Sequence, residues 1–167
     1  DFPAKWEALL PDLVSKIEAA LGASPRDYAA ASGLLSIAHS VFSRYRHEFK
    51  SDALYSEIKY VLDRVQAPLL KWFETALADL PANASDAAGA KRLVHALTVI
   101  ASLHYDLCYQ DLPEFFEDNM AKWMEGFVHL LKYANPALAV DDDEVTRGRR
   151  CPARLPLLRR AHALPLR

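Results

Sequence analysis

Apolar residues recur at steps of three and four through most of this chain, which is the spacing of one face of an α-helix. Trp6, Leu10, Leu13, Ile17 and Leu21 show this spacing near the start of the chain and predict one buried stripe on a first helix. No convincing strand pattern appears, so the sequence predicts an all-α fold. We expect five helices, at about 4–22, 25–48, 52–80, 87–109 and 112–134.

Prolines and short polar residues predict where these helices start. Pro11 lacks a backbone N–H, so we expect the first helix either to kink there or to begin late. Ser24 before Pro25 predicts an N-cap and a first-turn proline for the second helix. Asp111 and Glu114 stand three positions apart, which predicts a capping-box-like start for the fifth helix.

The apolar spacing also predicts which side chains the later helices bury. The expected core positions are Leu34, Ala38, Val41 and Tyr45, supported by Leu35 and Phe42, in the second helix; Leu54, Ile58, Val61, Val65, Leu69, Phe73 and Leu77 in the third; Leu93, Leu97, Ile100 and His104 in the fourth; and Phe116, Met120, Trp123, Phe127 and Leu130 in the fifth.

Five helices with short connections fit either a closed bundle or an open stack of antiparallel helix pairs. In a stack, the first, third and fifth helices would form the outer layer, and the second and fourth the inner layer. Successive pairs would be spaced by roughly 48 to 61 residues, somewhat more than the 40 to 47 of a HEAT unit. This spacing favours the solenoid only modestly over the bundle.

The charges are divided unevenly along the chain. All 22 acidic residues lie at or before Glu144, and seven of the 20 basic residues, all arginines, lie after it. The body therefore carries 13 − 22 = −9 and the tail +7. An acidic body argues against nucleic-acid binding by the folded part and suits a receptor for basic protein partners. No apolar run is long enough for a membrane span.

No residue pattern predicts catalysis or a metal site. The six histidines (39, 47, 95, 104, 129 and 162) include no HExxH motif, and we interpret His39 and His95 as packing or surface residues. Glu125 and His129 share a helical face, but no second pair supports a metal. The two cysteines, Cys108 and Cys151, suggest neither a disulfide framework nor a zinc site. We expect neither enzyme activity nor a cofactor, in a reducing, intracellular setting.

A basic cluster ends the second predicted helix. Arg44, Arg46 and Lys50, with His47, could form a partner-facing patch. The alternative is that these cations interact with the negative end of the helix dipole, worth roughly 0.3 to 1 kcal/mol each. We give Arg44, Arg46 and Lys50 as candidate binding residues and leave both interpretations open.

Two tracts carry a resemblance to a known family. These are Arg44–Ser51, which reads RYRHEFKS, and Gln110–Met120, which reads QDLPEFFEDNM. With the start of the chain, residues 57–63 and Trp123, they resemble the nuclear export receptors of the importin-β (karyopherin) family over about residues 1–144. The resemblance implies a fragment of a HEAT-repeat α-solenoid, about two and a half repeats long, with Pro68 inside one long kinked helix.

The same resemblance implies a function. A receptor of this kind would bind the small GTPase Ran in its GTP form and carry importin-α from nucleus to cytoplasm, shuttling between the two compartments. It would bind no membrane. The alternative is a generic HEAT scaffold that organises other proteins without Ran dependence.

The resemblance stops at Glu144, where the Arg/Pro-rich segment 145–167 begins. Its composition predicts disorder, and we interpret it as a translated intron or a shifted reading frame. The alternative is a basic arm that binds nucleic acid, acidic lipid or a transport receptor. In a fragment, the fifth helix would lack its next neighbour. We therefore expect Phe127, Leu130 and Leu131 to be partly exposed, and the chain to be marginally stable or self-associating.

Overall fold

The computed structural model describes residues 6–83, 86–135 and 138. These residues form six α-helices: α1 (Leu9–Gly22), α2 (Tyr28–Phe42), α3 (Asp52–Ala78), α4 (Ala87–Cys108), α5 (Glu114–Asp118) and α6 (Met120–Lys132). A 3₁₀ segment, Ser43–Arg46, continues α2. None of the described residues is in a strand, as the sequence predicts.

Side-chain caps fix the starts of three helices. Ser51 Oγ accepts a hydrogen bond from the Leu54 N–H at 3.2 Å and starts α3. Asp86 Oδ1 accepts one from the Ala88 N–H at 3.0 Å and starts α4. The predicted cap of α2 at Ser24 is wrong, because Asp27 Oδ1 accepts from the Ala30 N–H at 2.9 Å. The helix therefore begins at Tyr28, three residues later than the start predicted at Pro25.

The other helix starts resolve two further predictions. α1 begins late, at Leu9, so Pro11 falls in the first turn, where its missing N–H costs nothing. The capping box at Asp111 is wrong, because Pro113 occupies the N-cap position of α5 with no side-chain cap. Asp111 Oδ1 instead accepts from the adjacent Leu112 N–H at 3.0 Å. The predicted fifth helix is divided at Asn119 into α5 and α6.

The helices stack as successive antiparallel pairs. α1 packs against α2, and α3 against α4; between pairs, α2 packs against α4 and α1 against α3. α6 then packs against α3 and so continues the layer of α1 and α3. This is the open stack of a HEAT-type solenoid rather than a closed bundle. α3 runs unbroken from Asp52 to Ala78 through Pro68, as one long helix.

The predicted core faces are largely the observed ones, with several differences. Trp6 lies before α1 and is 60% exposed. His104, Met120 and Phe127 are half-buried rather than fully buried. α3 buries all its predicted residues except Leu77, which is half-buried. In α2 the buried stripe is centred on Ala31, Leu35 and Phe42, whereas Leu34 and Val41 are only half-buried. The stripe is rotated because α2 packs against both α1 and α4, and its deepest residues face the space between those two neighbours.

The end of the stack is partly exposed. Leu131 is 51% exposed and Phe127 is half-buried, as expected for a helix packed on one side only. Leu130 is only 2% exposed and lies within the core, which confirms the core position predicted from the spacing and makes the expectation of partial exposure wrong. The exposed stripe of α6 is formed by Met124, Val128 and Leu131.

Candidate interaction surface where two connecting segments meet

The two tracts that carry the resemblance contact each other. The segment after α2 (43–50) and the segment after α4 (109–113) lie side by side at one edge of the stack, and we call their contact the connector junction. The Gln110 side-chain amide donates to the backbone oxygens of Tyr45 and Glu48, the latter at 3.0 Å. Lys50 Nζ donates in return to the Gln110 carbonyl at 3.1 Å. The connections of two successive helix pairs are therefore directly hydrogen-bonded.

A buried carboxylate fixes the same junction from beneath. Asp106 in α4 is only 1% exposed. Its Oδ2 lies 2.6 Å from His39 Nδ1 in α2, and its Oδ1 lies 3.0 Å from Arg46 Nε in the 3₁₀ segment. A buried charge is tolerated when it is paired and hydrogen-bonded, and here the pairing connects α2, the 3₁₀ segment and α4.

Arg44 and Tyr45 attach the 3₁₀ segment to α3. The Arg44 guanidinium pairs with Glu48 and with Glu57, and the Tyr45 hydroxyl donates to Glu57 Oε1 at 2.8 Å. Burial raises the pKa of Tyr45 above its ordinary value, and the hydrogen bond to Glu57 raises it further. Tyr45 therefore stays neutral and acts as a hydrogen-bond donor.

The structure brings the three candidate binding residues together but gives each an internal partner. Arg44 pairs with acids, Arg46 pairs with buried Asp106, and Lys50 bonds to a backbone oxygen. Their contact with a partner protein stays a prediction. Of the three, Lys50 is the most exposed, and its neighbour Phe49 is 95% exposed.

Sequence reasoning missed Phe49, Asp106 and Gln110. Phe49 had a usable signal, because it is an aromatic residue in a connection, where no helical face can bury it. Asp106 and Gln110 had no such signal in the sequence, because their roles depend on contacts with a segment some 60 positions earlier.

An aromatic cluster marks the next junction along the stack. The Trp123 ring in α6 lies 4.1 Å from the His104 ring and 4.6 Å from the Phe73 ring, centroid to centroid. Phe116 of α5 lies 4.9 Å from the His104 ring. Burial lowers the pKa of His104 to about 4, so its imidazole is neutral and serves packing rather than acid–base chemistry.

The remaining histidines and cysteines show no converging arrangement. Within the described residues no group of three or more His, Cys, Asp or Glu side chains could hold a metal ion. His39, expected in a packing or surface role, pairs with Asp106, and His95 is exposed. Burial raises the pKa of Cys108 to about 12, which leaves its thiol protonated and unreactive. Cys151, His162 and the predicted tail lie outside the described residues.

No helix in the described part of the chain is both long and apolar enough to cross a membrane.

The family model named Cse1 matches residues 41–149, which is more than half of the chain and contains both connecting segments. The chain belongs to the Cse1 family. Proteins named Exportin-2 are similar over 144 residues: the one from Danio rerio is 45% identical and the one from Homo sapiens 44%. In both comparisons the match covers 86% of this chain and 14% of the relative.

A solved structure, described as the exportin Cse1 in its cargo-free, cytoplasmic state, agrees with the fold. It matches with a TM-score of 0.75 and 42% identity, covering 83% of this chain and 14% of that one. The Cse1-family solenoid is therefore the fold of this chain. The family is one of karyopherin-type transport receptors rather than enzymes. The chain spans about one seventh of the length of these relatives, the 14% given above.

Proposed function

We propose that this chain is a segment of a nuclear export receptor that binds Ran-GTP and carries importin-α from nucleus to cytoplasm, shuttling between the two compartments. The observation that carries the proposal is the agreement of sequence and fold over the same region: 45% identity to Exportin-2 and a TM-score of 0.75 to the exportin Cse1. Both cover more than four fifths of this chain.

The segment would act through shape and not through covalent chemistry. A stack in which each pair touches only its neighbours can change curvature by small rotations at each junction. If one partner favours a given curvature, it improves binding of the second partner, and the coupling is reciprocal. The connector junction contributes by setting the rotation between the first and second pairs.

Within this segment, we assign the outward-facing contact to Lys50 and its neighbour Phe49. Arg46 is occupied with buried Asp106, and Arg44 pairs with Glu57, so both are needed inside the fold. Lys50 makes a single bond to a backbone oxygen, and the Phe49 ring is 95% exposed. Aromatic side chains, Phe among them, are enriched at protein interfaces, so the exposed Phe49 ring is the main contact we assign.

The test uses a full-length receptor that contains this segment. Capture of importin-α should depend on Ran and be stronger with Ran loaded with a non-hydrolysable GTP analogue than with GDP. Equal capture with both nucleotides would reject the proposal and favour the alternative, a HEAT scaffold without Ran dependence.

A second arm tests the residues. Phe49→Ala with Lys50→Ala should weaken capture about tenfold. The melting temperature should change little, because the Lys50 bond to the Gln110 carbonyl is exposed to solvent. Lys16→Ala, an exposed lysine on α1, is the matched control and should change nothing. If the Phe49/Lys50 variant captured both partners normally, the assignment of these two residues would be wrong, although the receptor function could stand.

A further inference from the structure

A groove of about 470 Å³ lies between α3 and the segment 110–118. Ile58 and Leu62 line it from α3, and Leu112 and Phe115 line it from the opposite wall. Ile58 belongs to the core, whereas Leu62 and Phe115 are half-buried and Leu112 is 40% exposed. The floor is thus apolar and open to solvent. We call this feature the acidic groove, for the charges on its rim.

Four carboxylates surround the apolar floor: Asp63, Asp111, Glu114 and Asp118. Lys59 is the single cation among the lining residues, so the formal balance is 1 − 4 = −3. Its Nζ lies 3.4 Å from Asp63 Oδ1, and both side chains are well exposed, so this pair contributes little. No cation of the described residues forms an ion pair with Asp111, Glu114 or Asp118.

We propose that the acidic groove binds a basic peptide segment of a partner protein, in which an apolar side chain flanked by Arg or Lys inserts between Leu62 and Leu112. The apolar floor would bury the central side chain, and the rim carboxylates would pair with the flanking cations. Exposed apolar surface rimmed by polar groups is typical of a docking site. The proposal does not depend on the identity of the receptor's cargo.

The charge pattern decides the chemistry of the occupant. A rim of net −3 repels nucleic acid and acidic lipid. The carboxylates flank the floor without converging, and the described residues include no group able to hold a metal ion. Arg and Lys have long, flexible side chains, so their cations can reach carboxylates that lie apart from one another on the rim. Their alkyl stems can at the same time cover the apolar floor.

The experiment measures binding of a fluorescein-labelled peptide, a leucine flanked on each side by two arginines, to this chain by fluorescence anisotropy. We expect saturable binding that weakens as salt rises, because rim charges are screened. The triple variant Asp111→Asn, Glu114→Gln, Asp118→Asn should raise the Kd about tenfold or more. Leu112→Ala should also weaken binding, and a peptide with glycine in place of leucine should bind less tightly.

A matched control separates a site from general attraction to an acidic protein. Glu7→Gln, Asp12→Asn and Glu18→Gln together remove the same charge from exposed positions in and before α1. This variant should bind the peptide as the unmodified chain does. Equal weakening by both triple variants would overturn the proposal, as would a Kd that Leu112→Ala leaves unchanged while thermal melting shows an intact fold.

One further outcome concerns the chain's own arginines. Replacing the seven arginines after Glu144 with glutamine should leave the peptide affinity unchanged. A large rise in affinity would mean that the groove is occupied by this chain's own basic segment, and the assignment to a separate partner would be wrong.

Discussion

A glycine sets the distance between two helices of the same layer, and replacing it gives a sharp test of the packing. Gly126 in α6 lies against α3. A Cβ at this position would lie 2.4 Å from Phe73 Cε1 and 2.7 Å from Leu77 Cδ1, closer than real Cβ contacts. Phe73 is held in place by its stacking on Trp123, with ring centroids 4.6 Å apart. The ring cannot move aside without disturbing the aromatic cluster.

The magnitude follows from two opposing terms. Overpacking a core typically costs about 1–3 kcal/mol. Gly→Ala within a helix gains about 0.5–1 kcal/mol from lower backbone entropy in the unfolded chain. For Gly126→Ala we therefore expect a net loss of about 1–2 kcal/mol, which lowers Tm by roughly 2–8 °C in a chain of this size.

Gly33 in α2 is the matched control, because a Cβ there would meet nothing within 4 Å. Gly33→Ala should keep only the favourable term and stabilise the chain by about 0.5–1 kcal/mol. Thermal and urea melts followed by circular dichroism would measure both variants. A Gly126→Ala chain as stable as the unmodified one would refute the close approach of α6 to α3.

Three further predictions concern the junctions and caps. Asp106→Ala should cost about 3 kcal/mol in urea melts, since it leaves Arg46 without its buried partner; a loss below 1 kcal/mol would contradict the role of the pairing. Because the pKa of His104 is about 4 when folded and 6.5 as a free side chain, the folded state binds fewer protons between these values. Stability should therefore be full above pH 6.5 and fall by about 2 kcal/mol by pH 5, and His104→Phe should remove that loss. Asp27→Ala should lower the free energy of unfolding by about 1 kcal/mol in the same melts, and Ser24→Ala should leave it almost unchanged. A larger loss for Ser24→Ala than for Asp27→Ala would mean that Ser24 is the N-cap after all.

The sequence predicts the layers well because each helix's core face obeys a local rule. Spacing of three and four places Leu54, Ile58 and Val61 on one side of α3 whatever lies opposite. In α2 the local rule is off by a fraction of a turn, because the deepest residues face the space between α1 and α4, and Leu34 and Val41 are only half-buried. The predicted start of α2 is wrong for a similar reason. Ser24 and Asp27 are both residue types that cap helices, and only the packed position of α2 selects Asp27.

The candidate surface is predicted less completely, because its contacts join residues far apart in the chain. Arg44, Arg46 and Lys50 could be picked out as a cluster, but their partners Glu57, Asp106 and the Gln110 carbonyl depend on how the pairs stack. A local pattern cannot distinguish a cation that pairs internally from one that faces a partner. Phe49 could have been picked out by its place in a connection, whereas Lys50 is distinguished from Arg44 and Arg46 only once their internal partners have been assigned.

The two junctions along the stack differ in chemistry, and this difference bears on how the solenoid can bend. At the first junction, Asp106 is hydrogen-bonded to His39 and Gln110 to the Glu48 carbonyl, and such directional contacts weaken steeply when the geometry changes. At the second, Trp123 packs on Phe73 and His104 with no described hydrogen-bond partner for its Nε1. Apolar burial is non-directional, so helices held by ring packing can slide slightly along each other even where, as at Gly126, they lie close together. Changes of curvature within this segment should therefore concentrate between the second pair and α6, where the acidic groove also lies.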